Sequence, residues 1–191
     1  MSASDAVGSS RCPDCLYPKR VCFCAAVPTV VTRTRVVIVR HHTERDRSSN
    51  SGRLAHRALT NSVLVDYPDG VVPPLDGAWL LFPEGKEIPV APANPPTAIV
   101  ALDATWAQAR KMYRKLNALR GLPLFKLPVA PMPQQRLRSA PAPGLVSTIE
   151  AIARALRILE GDAVATPLED LFQAAVAATI ATGRIPARGA S

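Results

Sequence analysis

Asp103-Ala104-Thr105-Trp106 gathers a carboxylate, a hydroxyl and an indole at the end of an apolar run, Ile99-Val100-Ala101-Leu102. A carboxylate at such a point can take a proton as a general base, or simply cap the helix that follows. Thr105 with Gln108 three residues on already forms the capping-box pattern. That leaves the Asp103 carboxylate available and makes it the first candidate for chemistry. Trp106 reads as core or as a platform for a ligand. The other chemical grouping is Cys12, Cys15, Cys22 and Cys24, which are all the cysteines of the chain, spaced C-x2-C-x6-C-x-C. Four thiolates on a turn-rich segment with Pro13 and Pro18 can converge on one zinc ion, and a closed shell of four cysteines argues for a structural ion. Two disulfides or an iron-sulfur cluster are the alternatives for the same thiols. His41, His42 and Glu44 lie too close together to define a second metal site, and nothing assigns a catalytic role to either histidine.

These residues need elements to hold them. Arg35 to Arg40 reads as a buried strand delivering His41, His42, Glu44 and Arg45 to a loop, which runs through Ser48-Ser49-Asn50-Ser51 into a helix over Gly52 to Leu59. Ser62 to Tyr67 and Ala78 to Phe82 read as further strands, the second closing at Pro83-Glu84-Gly85. Ile99 to Leu102 is the strand that ends at Asp103. After Thr105, Trp106, Ala109, Met112, Tyr113, Leu116 and Leu119 share one helical face, with Arg110, Lys111, Arg114 and Lys115 opposite. Leu122 to Pro128 reads as a short edge strand. Ser147 and Glu150 form another capping box before a helical run, and a last helix is expected to open at Thr166-Pro167. Strands alternating with helices predict an α/β protein with a largely parallel sheet. Neither a G-x-G-x-x-G nor a Walker A sequence occurs.

The chain has 191 residues and a formal charge of +8, enough for one domain plus a small appendage. No acid stands between Asp103 and Glu150, whereas Arg110, Lys111, Arg114, Lys115, Arg120, Lys126, Arg136 and Arg138 do. A field of one sign on that scale attracts a polyanion, and nucleic acid is the natural partner. No stretch approaches a membrane span and no signal pattern opens the chain, so a cytoplasmic protein is expected. Residues 1–28 divide off as a disordered start, Met1 to Ser10, followed by the four-cysteine module; 29–191 form the remaining domain.

Several separated stretches together resemble the DTW-domain tRNA-uridine aminocarboxypropyltransferases. They are Cys12-Pro13-Asp14-Cys15 with Pro18, Cys22 and Cys24; His41 with Glu44; Ser51-Gly52-Arg53-Leu54-Ala55; Asp103-Ala104-Thr105-Trp106 as D-x-T-W; Arg136-Leu137-Arg138; and Ser147 to Ala151. His42 stands where proline is expected, and Ser51 where threonine is. The resemblance implies transfer of the 3-amino-3-carboxypropyl group of S-adenosylmethionine to N3 of a tRNA uridine, with methylthioadenosine released. It implies a SPOUT-like fold with a knotted carboxyl-terminal region. Phe82, Pro83, Leu102, Thr105, Arg138, Leu145, Ser147 and Thr148 are then expected at the cofactor, and Asp103 as the base on N3. Arg45, Arg47 and Arg53, in the loop that runs on to Arg57, are expected on RNA phosphates with Arg110, Lys111 and Arg114. Cys12, Cys15, Cys22 and Cys24 are expected on structural zinc. A SPOUT-type RNA methyltransferase and a non-catalytic zinc-containing RNA-binding protein are the competing readings.

Overall fold

β-Branched residues dominate the first strand, β1 (Arg35–His41), whose five central residues are all buried, as befits a strand covered on both faces. The computed structural model describes residues 10–88, 90–128 and 146–183. Met1 to Ser10 fall outside these but for Ser10, and so do Arg136, Arg138 and Leu145. Within them β1 is followed by α1 (Ser51–Ala58), β2 (Ser62–Tyr67), β3 (Ala78–Glu87), β4 (Ala98–Asp103), α2 (Trp106–Lys115), β5 (Leu124–Lys126), α3 (Thr148–Glu160) and α4 (Asp162–Ala181). The strands form one sheet in the order β2-β1-β4-β3-β5, with every pair parallel. The expected α/β architecture is therefore present. The expected knot turns on the path from 129 to 145, which lies outside the described residues.

Alternation along β1 and β4 splits the core in two. Val36, Ile38, Ile99 and Ala101 face α1, α3 and α4, whereas Val37, Val39 and Val100 face Met112 of α2 and Leu119. The helix after β1 thus lies on one face and the helix after β4 on the other. Since β1 and β4 are neighbours, the crevice beyond their carboxyl ends is where open α/β sheets admit ligands.

Three expectations need correction. β3 does not close at Pro83-Glu84-Gly85 but continues to Glu87, because β5 pairs with it again at Lys86. The register slips between Leu81 and Lys86, where Pro83 has no N–H to give the ladder. The last helix opens at Asp162 rather than at Thr166-Pro167. Gly161, at φ +97°, makes the corner, and Pro167 sits inside the helix, where the buried side chains of Ala165 and Leu168 hold the segment. Helix α2 stops at Lys115, so Leu119 reaches the same core from the following turn, Asn117–Leu119.

The four-cysteine segment is not isolated from this core. Cys12, Cys15, Tyr17 and Phe23 join the cluster that contains α3 and α4, and the Tyr17 hydroxyl lies 2.7 Å from Thr179 Oγ1.

Candidate functional site

Asp103 ends β4 with its side chain on the face covered by α1 and α3, and only 4% of the residue is exposed. Its Oδ2 accepts from Asn50 Nδ2 at 2.5 Å, and its Oδ1 accepts from the Thr148 hydroxyl at 2.7 Å. Both donors belong to helix starts: Asn50 is the N-cap of α1 and accepts from Arg53 N, while Thr148 is the first residue of α3. Thr148 N in turn donates to Ser51 Oγ at 3.1 Å. The carboxylate therefore ties two helix amino termini to the sheet, a favourable place for negative charge. Gly52 is required here, because a Cβ at that position would meet Asp103 Cγ at 2.6 Å.

As the sequence suggests, Thr105 rather than Asp103 caps α2. Thr105 and Gln108 make the reciprocal capping box, and Ser147 and Glu150 make the same box for α3. Those side chains are committed to structure.

Beside this hub, β3 and β4 part. Their ladder stops after Leu80 and Val100, and the strand ends splay around a cavity of about 250 Å³. Leu81, Phe82 and Pro83 line it from β3, Ala101 and Leu102 from β4, and Trp106 from α2. Ala151 and Arg154 of α3 complete the wall with the end of β5 and Val146. Three of the residues expected at a cofactor, Phe82, Pro83 and Leu102, are lining residues, whereas Thr105, Ser147 and Thr148 serve the caps and the hub. Arg138 and Leu145, also expected there, lie outside the described residues.

Sequence reasoning missed Asn50 and Arg154. Arg154 is half-buried on an apolar cavity and has no carboxylate or hydrogen-bond partner among the described residues. Its signal was its spacing: Ala151 and Arg154 are three apart and share one face of α3. Asn50 is visible in the sequence only as a possible cap.

The basic residues separate into two groups. Arg45 pairs with Asp66, which Arg40 also grips at 2.7 and 3.0 Å; the Arg40 hydrogen bond holds the Asp66 carboxyl below its ordinary range despite burial. Arg47 stands 3.6 Å from buried Glu44, and Arg53 donates to the carbonyls of Arg45 and Arg47. These three arginines are thus engaged in holding their own loop. Arg110, Lys111 and Arg114 are exposed on α2 with no ion pair among the described residues.

The four cysteine Sγ atoms lie within 4.8 Å of one another, with 3.6 Å from Cys12 to Cys24 and 3.8 Å from Cys15 to Cys22. A tetrahedron of Zn–S bonds of about 2.3 Å has edges of about 3.8 Å, so the donor set fits a zinc ion. The cysteines are free, which sets aside the disulfide alternative in this structure. Backbone N–H groups of Cys15 and Asp14 pull the Cys12 thiol down to about 6. Arg57, expected at the end of an RNA-facing loop, turns instead to Cys24, its Nη1 standing 3.1 Å from Sγ.

A parallel α/β sheet with a cavity between β3 and β4 beside a buried carboxylate, together with a four-thiol corner, defines the class of protein. The DTW domain model matches residues 9–180, and the chain belongs to the DTW-domain family. It is 28% identical over 168 residues to tRNA-uridine aminocarboxypropyltransferase 2 of Drosophila melanogaster, covering 79% of this chain and 67% of that relative. It is 23% identical over 192 residues to tRNA-uridine aminocarboxypropyltransferase A of Arabidopsis thaliana, covering 79% and 73%. Against tRNA-uridine aminocarboxypropyltransferase 2 of Macaca fascicularis it is 26% identical over 169 residues, spanning 56% of that protein. No solved structure matches the chain.

Proposed function

We propose that this protein transfers the 3-amino-3-carboxypropyl group of S-adenosylmethionine to N3 of a tRNA uridine. One observation carries the reading: within a DTW match over residues 9–180, Leu102 and Trp106, which bracket Asp103-Ala104-Thr105, line the cavity opened between β3 and β4. The relatives' names supply the reaction class. No helix among the described residues is long and apolar enough to cross a membrane.

In this reading S-adenosylmethionine occupies the cavity, its apolar portions against Leu81, Phe82 and Trp106. Arg154 takes the carboxylate of the group to be moved, since a half-buried guanidinium on an apolar wall gains most from an anionic ligand. That contact turns the γ-carbon, rather than the methyl, toward the acceptor, and the rest is positioning.

Uridine N3 is a weak nucleophile until it loses its proton. Asp103 is the proton acceptor of this proposal, and it acts through Thr148, whose hydroxyl already donates to it. As N3 attacks the γ-carbon and the carbon–sulfur bond breaks, the N3 proton passes to Thr148 Oγ1. The Thr148 proton passes to Asp103, and methylthioadenosine leaves with the sulfur electron pair. Zinc on the four cysteines is structural, and the SPOUT-like knot and a cytoplasmic location complete the proposal. Arg110, Lys111 and Arg114 face RNA phosphates, with Arg45, Arg47 and Arg53 shaping the adjoining loop.

The test is incubation with S-adenosylmethionine and unmodified bulk tRNA, followed by nucleoside mass spectrometry. Aminocarboxypropyluridine with methylthioadenosine supports the reading; a methylated nucleoside with S-adenosylhomocysteine overturns it. Arg154→Gln should weaken S-adenosylmethionine roughly tenfold, the worth of one charge-assisted hydrogen bond. Calorimetry should find methylthioadenosine, which lacks the carboxylate, unaffected.

A further inference from the structure

The carboxyl ends of β1 and β2 carry a second concavity, on the α2 face of the sheet. It measures about 210 Å³ and is lined by His41, His42, Tyr67, Pro68, Gln108, Lys111, Met112 and Lys115. Gln108, Lys111, Met112 and Lys115 follow helical spacing, so α2 presents a continuous face to it. Among the described residues no acidic side chain lines it. Its other wall is aromatic: His41 and His42 have ring centroids 4.5 Å apart, and Tyr67, the register partner of His41, stands 6.1 Å from the His41 ring.

His41 is set in one tautomer. Thr43 N–H donates to its Nδ1 at 3.3 Å, and Gln108 Nε2 holds the Thr43 hydroxyl at 3.1 Å. The neutral ring therefore keeps its proton on Nε2 as a donor. Burial, with His42 and Lys111 nearby, depresses the His41 pKa, although Glu44 opposes this. Lys111 and Lys115 bring positive charge to the cleft, both exposed and without an ion pair among the described residues.

A row of rings beside two ammonium groups is the arrangement that binds an unstacked nucleotide, with its base on the rings and its phosphate on the lysines. We propose that this cleft is a nucleotide subsite for single-stranded RNA, taking a residue that flanks the target uridine. The inference rests on the RNA-transferase reading above, which already places Lys111 on RNA phosphate, and adds to it the ring wall and Lys115 as the seat of one nucleotide. Trp106, on the cavity, and Lys111, in the cleft, are five residues apart in α2, about 7.5 Å along its axis. Helix α2 therefore spans from the reacting centre to the neighbouring nucleotide.

The test uses the full chain and unmodified tRNA, with affinity measured across a salt series. Lys111→Gln combined with Lys115→Gln should weaken binding roughly tenfold near 0.1 M salt. It should also flatten the plot of log affinity against log salt by about 1 to 2. His42→Ala should weaken binding by roughly tenfold or more, and His42→Phe should restore most of the loss, because any flat ring supports stacking. An unchanged slope in the lysine variant, or a His42→Phe as weak as His42→Ala, overturns the subsite. S-adenosylmethionine affinity, measured without RNA, separates the two proposals. Wild type that binds the cofactor and modifies tRNA, with variants that bind RNA normally, removes only the subsite. Wild type that neither modifies nor binds RNA removes both.

Discussion

The two ends of α1 are fastened by different chemistry. At its start Asn50 and Gly52 close on the buried Asp103 carboxylate, which Thr148 of α3 also reaches. At its other end Arg57 donates to Cys24 in the four-thiol corner. The thiol corner draws its ligands from thirteen consecutive residues; the Asp103 hub draws its partners from positions 50, 52, 103 and 148. A local centre can be held by one ion, whereas a distributed one holds together the elements that meet in it.

The largest effect should come from breaking the thiol corner. Chelation, or Cys15→Ser, should release one zinc ion per chain and remove the ion's folding contribution. On the order of 5 kcal/mol would be lost, which for a chain of this size lowers Tm by roughly 10–20 °C. Because Tyr17 and Phe23 pack into the α3–α4 core, the loss should extend beyond the corner itself. A melt that chelator does not move would show that the thiols hold no stabilising metal.

Next come the two halves of the Asp103 role. Asp103→Ala leaves the buried Asn50 amide without its acceptor, at about 1–3 kcal/mol, and the partly buried Thr148 hydroxyl without its own at less than that. Asp103→Asn keeps a polar group of the same shape, so its melt should shift much less. Its transfer rate should still fall by roughly a hundredfold or more, the typical share of a general base. A normal rate in Asp103→Asn would leave the residue only its structural duty. Gly52→Ala attacks the same hub sterically, since the new methyl carbon would lie 2.6 Å from Asp103 Cγ. It should cost about 1–3 kcal/mol in the melt and lower transfer at the same time.

The same contrast decides what could be read from the sequence. The thiol corner was legible because one residue type at metal spacing names its own chemistry. Both capping boxes, Thr105–Gln108 and Ser147–Glu150, were legible because a cap is a contact between residues three apart. β2 was legible to its ends from its apolar run, and β1 and β4 to within one residue. Asn50 was not, because its bond to Asp103 crosses 53 positions and needs β1 and β4 to be neighbours. For the same reason the arginines of the 45 to 57 loop looked available to RNA, although Arg45, Arg53 and Arg57 each have a partner nearby in space. The cap-and-proline pattern at Thr166-Pro167 started the last helix too late, since it gives Pro167 more weight than the packing of Ala165 and Leu168.

The smallest and most informative change is Arg57→Gln. Burial alone would push the Arg57 pKa down, but the Cys24 hydrogen bond and the charges of Cys24 and Asp14 outweigh it, so the guanidinium stays firmly charged. A zinc ion with four thiolates carries excess negative charge, which a partly buried cation at 3.1 Å offsets. Glutamine keeps a donor but loses the charge and the reach, so about 1 kcal/mol of stability should go. Zinc affinity, read by competition with a chelator, should fall roughly tenfold. Arg57 stands seven residues along the chain from Asn50, about two turns of helix away. If the ends act independently, S-adenosylmethionine affinity in the zinc-loaded variant will match wild type. A zinc-loaded variant that binds the cofactor more weakly would mean that α1 transmits strain from the thiol corner to the Asp103 hub.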